Sequence, residues 1–234
     1  MAGKRALDVR DMFGRIVPRY DLLNRLMSLG MDGGWRRHAA RAAQPPGGRV
    51  LDVGAGTGDL AFELSRQGAA SVVGSDFSRP MLATARAKAN ARELGGIAWL
   101  LADALRLPFP DRTFDAVTNG FVLRNLADLR AGLAEMARVL KPGGRLVCLD
   151  MTPPRPGPGA PLYRLYFNRL VPPIAGAISS DRAAYRYLPN SLQGFPDAPA
   201  LASLLSDIGL HDVGFEYLAG GTVAVHHGRR APDR

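Results

Sequence analysis

One cysteine, Cys148, stands in 234 residues. That excludes an internal disulfide framework and any cysteine-based zinc cluster. Long hydrophobic runs are also missing. The longest uncharged stretch of interest, Leu170 to Ser180, contains two prolines and falls short of the roughly 20 apolar residues of a membrane span. The opening MAGKRALDVRDMFGR carries charges where a signal peptide needs an apolar core. Histidine is sparse and dispersed: His38, His211, His226 and His227. The adjacent pair points to opposite faces of any strand that holds it, so no metal site is expected. Like charges form no long block, and basic residues do not interleave with aromatics. The net charge of +9 and pI near 10.4 therefore read as an arginine-rich bias, not a nucleic-acid surface, while attraction to anionic lipid headgroups stays open. With 47% hydrophobic and 22% charged residues, the chain suits one large soluble, intracellular domain.

What is present is an alternation. Residues 1–48 read as a helical N-terminal region that ends in the breaker Gln44-Pro45-Pro46-Gly47-Gly48. Within residues 49–151, short apolar runs predict strands at Arg49 to Val53, Ser71 to Asp76, Ile97 to Ala102, Phe114 to Thr118 and Arg145 to Asp150. Helical patterns run from Leu60 to Gln67, Pro80 to Leu94 and Leu126 to Leu140, the last closed by Lys141-Pro142-Gly143-Gly144. Residues 152–234 hold a Pro/Gly-rich loop, helical segments and a hairpin, Val213 to Leu218 and Thr222 to His226, around Ala219-Gly220-Gly221. Strands that alternate with helices and are apolar on both faces imply a parallel sheet covered on both sides.

The first strand runs directly into Asp52-Val53-Gly54-Ala55-Gly56-Thr57-Gly58. Three alternate glycines exceed what a turn needs and let backbone approach a ligand closely. The spacing is not that of a dinucleotide fingerprint, because Asp59 occupies the place of the third glycine. No lysine follows as in a phosphate-binding P-loop, and Asp52 would repel a phosphate. The second strand ends in Asp76, whose carboxylate can accept two hydrogen bonds from a ribose diol. The third ends near Asp103-Ala104, where an acid can take the amino group of an adenine. Together these describe a site for an adenosine whose remaining substituent is an amino acid. An oxidoreductase using a nicotinamide cofactor would need that third glycine and a Tyr-x-x-x-Lys pair, and neither occurs.

The arrangement resembles the class I methyltransferases that bind S-adenosylmethionine. The resemblance implies an α/β, Rossmann-like fold: a mostly parallel seven-stranded sheet with a C-terminal antiparallel hairpin and an N-terminal helical cap. It implies one domain over residues 1–234, with the cap in 1–48, the cofactor core in 49–151 and an acceptor-side insert and hairpin in 152–234. Carried over residue by residue, it assigns cofactor binding to Asp52, Gly54, Gly56, Thr57, Gly58, Asp76, Asp103, Ala104 and Gly120. Flanking segments narrow the resemblance. Phe13, Tyr20-Asp21, Asn24, Ser28, Gly30 and Trp35-Arg36 precede the core; Phe121-Val122-Leu123-Arg124-Asn125 follows strand four; Tyr185-Arg186-Tyr187-Leu188, Ser191 and Pro196-Asp197 come later; and residues 219–226 close the hairpin. These are similar to the ubiquinone/menaquinone biosynthesis C-methyltransferase family. Many relatives carry serine at Gly120, and some carry histidine at Asp32 or glycine at Val122.

That resemblance implies methylation of a ring carbon of a polyprenyl quinol, demethylmenaquinol before a ubiquinone precursor or another small hydrophobic acceptor. A sulfonium donor is already activated, so no metal is expected. Arg124 is expected to stabilise the developing phenolate, since a guanidinium is too weak an acid to serve as a base at neutral pH. Asn125 is expected to orient that group, and Tyr20 to close over the site from the cap. Leu162, Tyr163, Leu165, Tyr166, Phe167, Leu170 and Val171 offer an apolar lining for the isoprenoid tail, or plain helical core. The expected partners are the quinol, an anionic membrane surface and, in a homodimer, a second copy; nucleic acid is not among them. The expected location is the cytoplasm, with peripheral contact at the inner face of the membrane.

Overall fold

The computed structural model describes residues 17, 20–44, 47–153, 169, 192 and 194–232. The apolar residues Leu162, Tyr163, Leu165, Tyr166, Phe167, Leu170 and Val171, the Tyr185-Arg186-Tyr187-Leu188 motif, Phe13 and Ser191 lie outside the described residues. The strands are β1 (Arg49–Val53), β2 (Ser71–Asp76), β3 (Ile97–Leu101), β4 (Phe114–Gly120), β5 (Leu140–Met151), β6 (Leu210–Leu218) and β7 (Val223–Arg230). The helices are α1 (Asp32–Ala42), α2 (Asp59–Arg66), α3 (Arg79–Ala91), α4 (Leu129–Arg138) and α5 (Ala198–Asp207). A further helical stretch covers residues 20–27.

All seven strands form one sheet in the order β3-β2-β1-β4-β5-β7-β6. The first five pair in parallel, and β7 and β6 add antiparallel. Side chains alternate across each strand, which splits the core in two. Leu51, Val53 and Val117 face one layer, shared with Leu133 and Met136 of α4 and Leu201 and Leu205 of α5. Val50, Ala116, Val147 and Leu149 face the other, shared with Ala39 and Ala40 of α1 and Leu60 and Leu64 of α2. Both faces are dry, as an all-apolar run such as LVCL requires.

The seven-stranded sheet and its closing hairpin match the sequence expectation. Several boundaries shift by one to four residues, and one assignment is overturned. Lys141-Pro142-Gly143-Gly144 is not a turn after a helix but part of β5, which begins at Leu140. Gly143 has a φ of 73°, and the register between β4 and β5 shifts between Phe114 and Ala116. The strand absorbs its glycines in that irregularity.

The strand order reverses between β1, which continues to β2, and β4. In an open parallel sheet such a switch point leaves a crevice beyond the carboxyl ends of the strands.

Candidate active site

A cavity opens at that crevice. Val53, Gly54 and Gly56 from the end of β1, Asp76, Phe77 and Met81 from the end of β2 and the start of α3, Ala102 to Leu105 after β3, and Gly120 to Val122 after β4 all line it. Asn125, Leu126 and Ala127 close one side, and Tyr20 of the N-terminal helix closes another.

The glycines of the loop do different jobs. An ideal Cβ on Gly56 meets nothing within 4 Å, so the space above this backbone is free for a ligand. A Cβ on Gly54 would stand 1.9 Å from Cγ2 of Val122; here glycine makes room for the wall of the cavity itself. Gly58 does not line the cavity. It caps the N-terminus of α2 at a φ of 91°, with Trp99 and Phe62 packed where a Cβ would go. Gly120 has room for a side chain, its nearest neighbour being Leu60 Cδ2 at 3.4 Å from an added Cβ.

Asp76 is the best-held acid of the cavity. Its Oδ2 accepts from the Gly56 N–H at 2.8 Å and its Oδ1 from the Ser78 N–H at 2.8 Å. With the Phe77 N–H as a third backbone donor, the carboxylate still keeps lone-pair capacity for a ligand hydroxyl. Burial raises its carboxyl pKa, and the backbone donors of Ser78 and Gly56 work against that rise. Asp103 lines the cavity with its Oδ1 on the Leu105 N–H at 2.9 Å, and Ala104 lies beside it.

Asp52 and Thr57 belong to the loop but lie outside the cavity wall. In the β1–β4 register Asp52 stands opposite Thr118, and the Thr118 hydroxyl donates to its Oδ1 at 2.9 Å. Its Oδ2 is buried without a hydrogen-bond partner. Burial pushes the Asp52 carboxyl up to about 7, against the Thr118 hydrogen bond and the Arg36 charge. Thr57 is buried beneath the N-terminal helix. Its hydroxyl donates to Asp21 at 2.6 Å, and Lys88 of α3 donates to Asp21 at 2.8 Å, to Asp59 at 2.6 Å and to the Thr57 oxygen at 3.2 Å. This cluster ties the helix over residues 20–27 to the glycine loop and to α3. Asp59, the residue that spoils a dinucleotide fingerprint, starts α2 and pairs with Lys88, and its charge suits that helix end.

The residues proposed for chemistry divide. Tyr20 and Asn125 both line the cavity. Burial raises the Tyr20 phenol above its usual pKa, opposed by its hydrogen bond with Asn24 and by the charges of Arg36 and Arg124. Asn125 donates from Nδ2 to the Phe121 carbonyl at 3.2 Å. Arg124 sits one layer behind, on a 3-10 turn over Leu123–Asn125. Its side chain is 9% exposed and pairs with Asp150, itself 2% exposed. Asp150 also accepts from the N–H groups of Leu123 at 3.0 Å and Met151 at 2.8 Å. The pair is thus buried. Phe121 has the guanidiniums of Arg36 and Arg124 5.7 and 5.5 Å from its ring centroid, and its backbone adopts a φ of 61°. Phe121 also lines the cavity.

Several residues escaped sequence reasoning. Phe77 and Met81 supply apolar walls, one directly after the strand-two acid and the other four residues on; that adjacency was the available signal. Val122, Leu105 and Leu126 are of the same kind. Lys88 was hidden in an Ala/Arg-rich helix. The histidines are apart: His226 contacts the Ala198 carbonyl at 2.9 Å and stacks on Phe215, and His38 pairs with Glu216 at 3.0 Å.

The residues present fit an adenosyl cofactor. The space over Gly56, the spare lone pairs of Asp76 and the apolar walls of Phe77 and Met81 form one continuous lining, and Asp103 lies at its β3 end.

Comparison with known proteins covers nearly the whole chain. Residues 1–230 match the model described as the ubiE/COQ5 methyltransferase family. A demethylmenaquinone methyltransferase of Thermus thermophilus is 51% identical over 94% of this chain and 100% of its own length. A ubiquinone/menaquinone biosynthesis C-methyltransferase of Geobacter sulfurreducens is 44% identical over 95% of this chain and 88% of its own. Among solved structures, the [4+2]-cyclase SpnF superposes with a TM-score of 0.71 at 19% identity, covering 96% of each chain; that likeness shows the fold alone.

Proposed function

The chain belongs to the ubiE/COQ5 methyltransferase family, and from that premise we propose that it moves a methyl group from S-adenosylmethionine to a ring carbon of a polyprenyl quinol, converting demethylmenaquinol to menaquinol. One observation carries the reading: a cavity at the carboxyl ends of β1 to β4 joins an adenosyl-type lining, around Gly56 and Asp76, to an acceptor-side wall made by Tyr20, Asn125 and Leu126. The Thermus relative's name favours the menaquinone acceptor. The Geobacter relative's name keeps the benzoquinol precursor of ubiquinone as the second acceptor.

When bound, S-adenosylmethionine supplies a methyl group on an already cationic sulfur. The chain's own residues do the rest. The open backbone at Gly56 would admit the donor closely, and Asp76 would hold ribose hydroxyls on its remaining lone-pair capacity. Asp103 and Ala104 would meet the adenine edge, with Phe77 and Met81 as the apolar walls beside it. Tyr20, kept protonated by burial, and Asn125 hold the quinol oxygen at the far end. Arg124, fixed by Asp150, stabilises negative charge as it develops on that oxygen, its charge reaching the Tyr20 hydroxyl. Holding donor and acceptor in line accounts for a large share of such a rate, about 7–11 kcal/mol of barrier at most. Among the described residues no helix is long and apolar enough to cross a membrane, and a tailed acceptor calls for peripheral contact with the bilayer, at its inner face.

Incubation with S-adenosylmethionine labelled in its methyl group and a reduced demethylnaphthoquinol tests this. Label on the ring carbon is expected. Label on a quinol oxygen, or none, would refute the proposal.

A further inference from the structure

Five large hydrophobic side chains stand exposed among the described residues, and four of them, Leu22, Leu26, Leu29 and Met31, fall within one stretch of ten. The helix over residues 20–27 has two apolar faces. Tyr20 and Leu23 point inward, Tyr20 into the cavity and Leu23 into the core at 2% exposure. Leu22 and Leu26, one turn apart, lie together on the outer side, 52% and 41% exposed, with Arg25 beside them. A surface helix ordinarily carries one apolar stripe, so the second is not accounted for by packing among the described residues. The turn that follows extends it. Leu29 is 73% exposed and holds a φ of 52°, a left-handed state that glycine or asparagine adopts more readily than leucine. Folding stability does not select an outward leucine there.

Charge narrows what covers this surface. Residues 20–44 contain two acids, and both are consumed: Asp21 by Lys88 and Thr57, Asp32 by Arg36 and Ser28. Arg25, Arg37 and Arg41 are exposed and make no ion pair among the described residues. The Arg37 guanidinium lies back along the first turn of α1, near Gly33 and Gly34. Four apolar side chains flanked by guanidiniums that no described acid neutralises complement an anionic bilayer, where apolar groups enter the interface and cations meet phosphates.

We propose that residues 22–31 dock the enzyme on an anionic membrane, with Leu22, Leu26, Leu29 and Met31 in the interface and Arg25 and Arg37 at headgroup level. The purpose rests on the polyprenyl quinol reading: the helix that seats on the bilayer is the one whose inner face, at Tyr20, walls the cavity. An acceptor anchored by its tail then passes from lipid to cavity along that helix.

The test is flotation of the intact protein with vesicles of phosphatidylglycerol and phosphatidylcholine, and with phosphatidylcholine alone. Partitioning onto the anionic vesicles is expected to be at least about tenfold stronger and to weaken with salt. Leu29→Asn, and separately Leu22→Ser, should each lower it roughly tenfold. Asparagine relieves the left-handed turn, so an unchanged or higher melting temperature shows that the loss is not unfolding. Arg25→Gln with Arg37→Gln should erase the preference for anionic lipid. Wild-type partitioning by both leucine variants would overturn the proposal. So would a dimer in solution that these substitutions split, since a second copy would then be the occupant. Methylation of a tail-less quinol in lipid-free buffer separates the two readings. Turnover there without vesicle binding overturns the docking surface alone; vesicle binding lost in the leucine variants, with no quinol methylated, supports the surface and overturns the acceptor.

Discussion

The two outer glycines of Gly56-Thr57-Gly58 look equivalent in sequence, and alanine substitution should pull them apart. At Gly58 the φ of 91° already costs an L-residue about 1–2 kcal/mol. The new Cβ would also stand 2.6 Å from Trp99 Cη2, 2.8 Å from Phe62 Cζ and 3.2 Å from Ala85 Cβ. Those rings pack edge to face, with centroids 5.9 Å apart, and cannot both retreat without opening the seam between α2, α3 and β3. Overpacking of this kind costs about 1–3 kcal/mol more. The sum, roughly 2–5 kcal/mol, should lower the melting temperature of a chain this size by about 5–20 °C. At Gly56 the φ of 54° carries only the first cost, because nothing lies within 4 Å of the new methyl. Gly56→Ala should therefore melt only about 2–8 °C lower, yet lose most of its affinity for S-adenosylmethionine as the methyl enters the ligand's space. Thermal unfolding by circular dichroism, beside calorimetric titration of the donor, reads both. A Gly58→Ala variant that melts within about 2 °C of wild type, or a Gly56→Ala variant that binds as tightly as wild type, would refute this division of labour.

Other outcomes follow from the same geometry. Arg124→Ala strands the buried Asp150 carboxylate, a loss of about 3–5 kcal/mol that should appear as melting lowered by roughly 10 °C; Arg124→Lys keeps the charge and should lose turnover with donor affinity intact, and full turnover in the lysine variant would remove the guanidinium from the mechanism. Burial holds the Asp52 carboxyl up to about 7, so the folded state binds a proton that the unfolded chain has shed. Stability then falls as pH rises from about 4 to about 7, by at most roughly 1.4 kcal/mol per pH unit, and Asp52→Asn should flatten that slope; identical melting profiles at pH 5 and 8 for both proteins would contradict it. Lys88→Met unties Asp21 and Asp59 from α3. Because Asp21 is partly exposed, the loss is about 1 kcal/mol, and it should show as faster tryptic cleavage after Arg25 and a donor Kd several-fold higher; an unchanged digestion rate would count against the tie.

Much of the fold was legible because its signals are local. β1 and β2 begin and end at the residues expected, since each is an apolar run bounded by an arginine or serine on one side and by glycine or an acid on the other. Boundaries drifted where the signal was ambiguous: the Lys-Pro-Gly-Gly run that ends a helix also starts β5, and only pairing with β4 and β7 makes it strand. The cavity's polar residues were legible at Gly54, Gly56, Asp76 and Asp103, because strand ends in such a sheet point to one edge.

The sequence by itself determined the alternation of strands and helices, the glycine loop and the acids that end β2 and follow β3, all of which depend on neighbours a few residues away. Tertiary structure decided where the other side chains turn. Asp52 shares its side of β1 with Val50, facing α1 and α2, because alternation along the strand gives Val53 to the cavity. Thr57 is taken by Asp21 from 36 residues away, and Arg124 by Asp150 from 26 residues away. Such partners meet only through strand order and register, and no local pattern encodes either, so the charges behind the cavity became readable only in the folded chain.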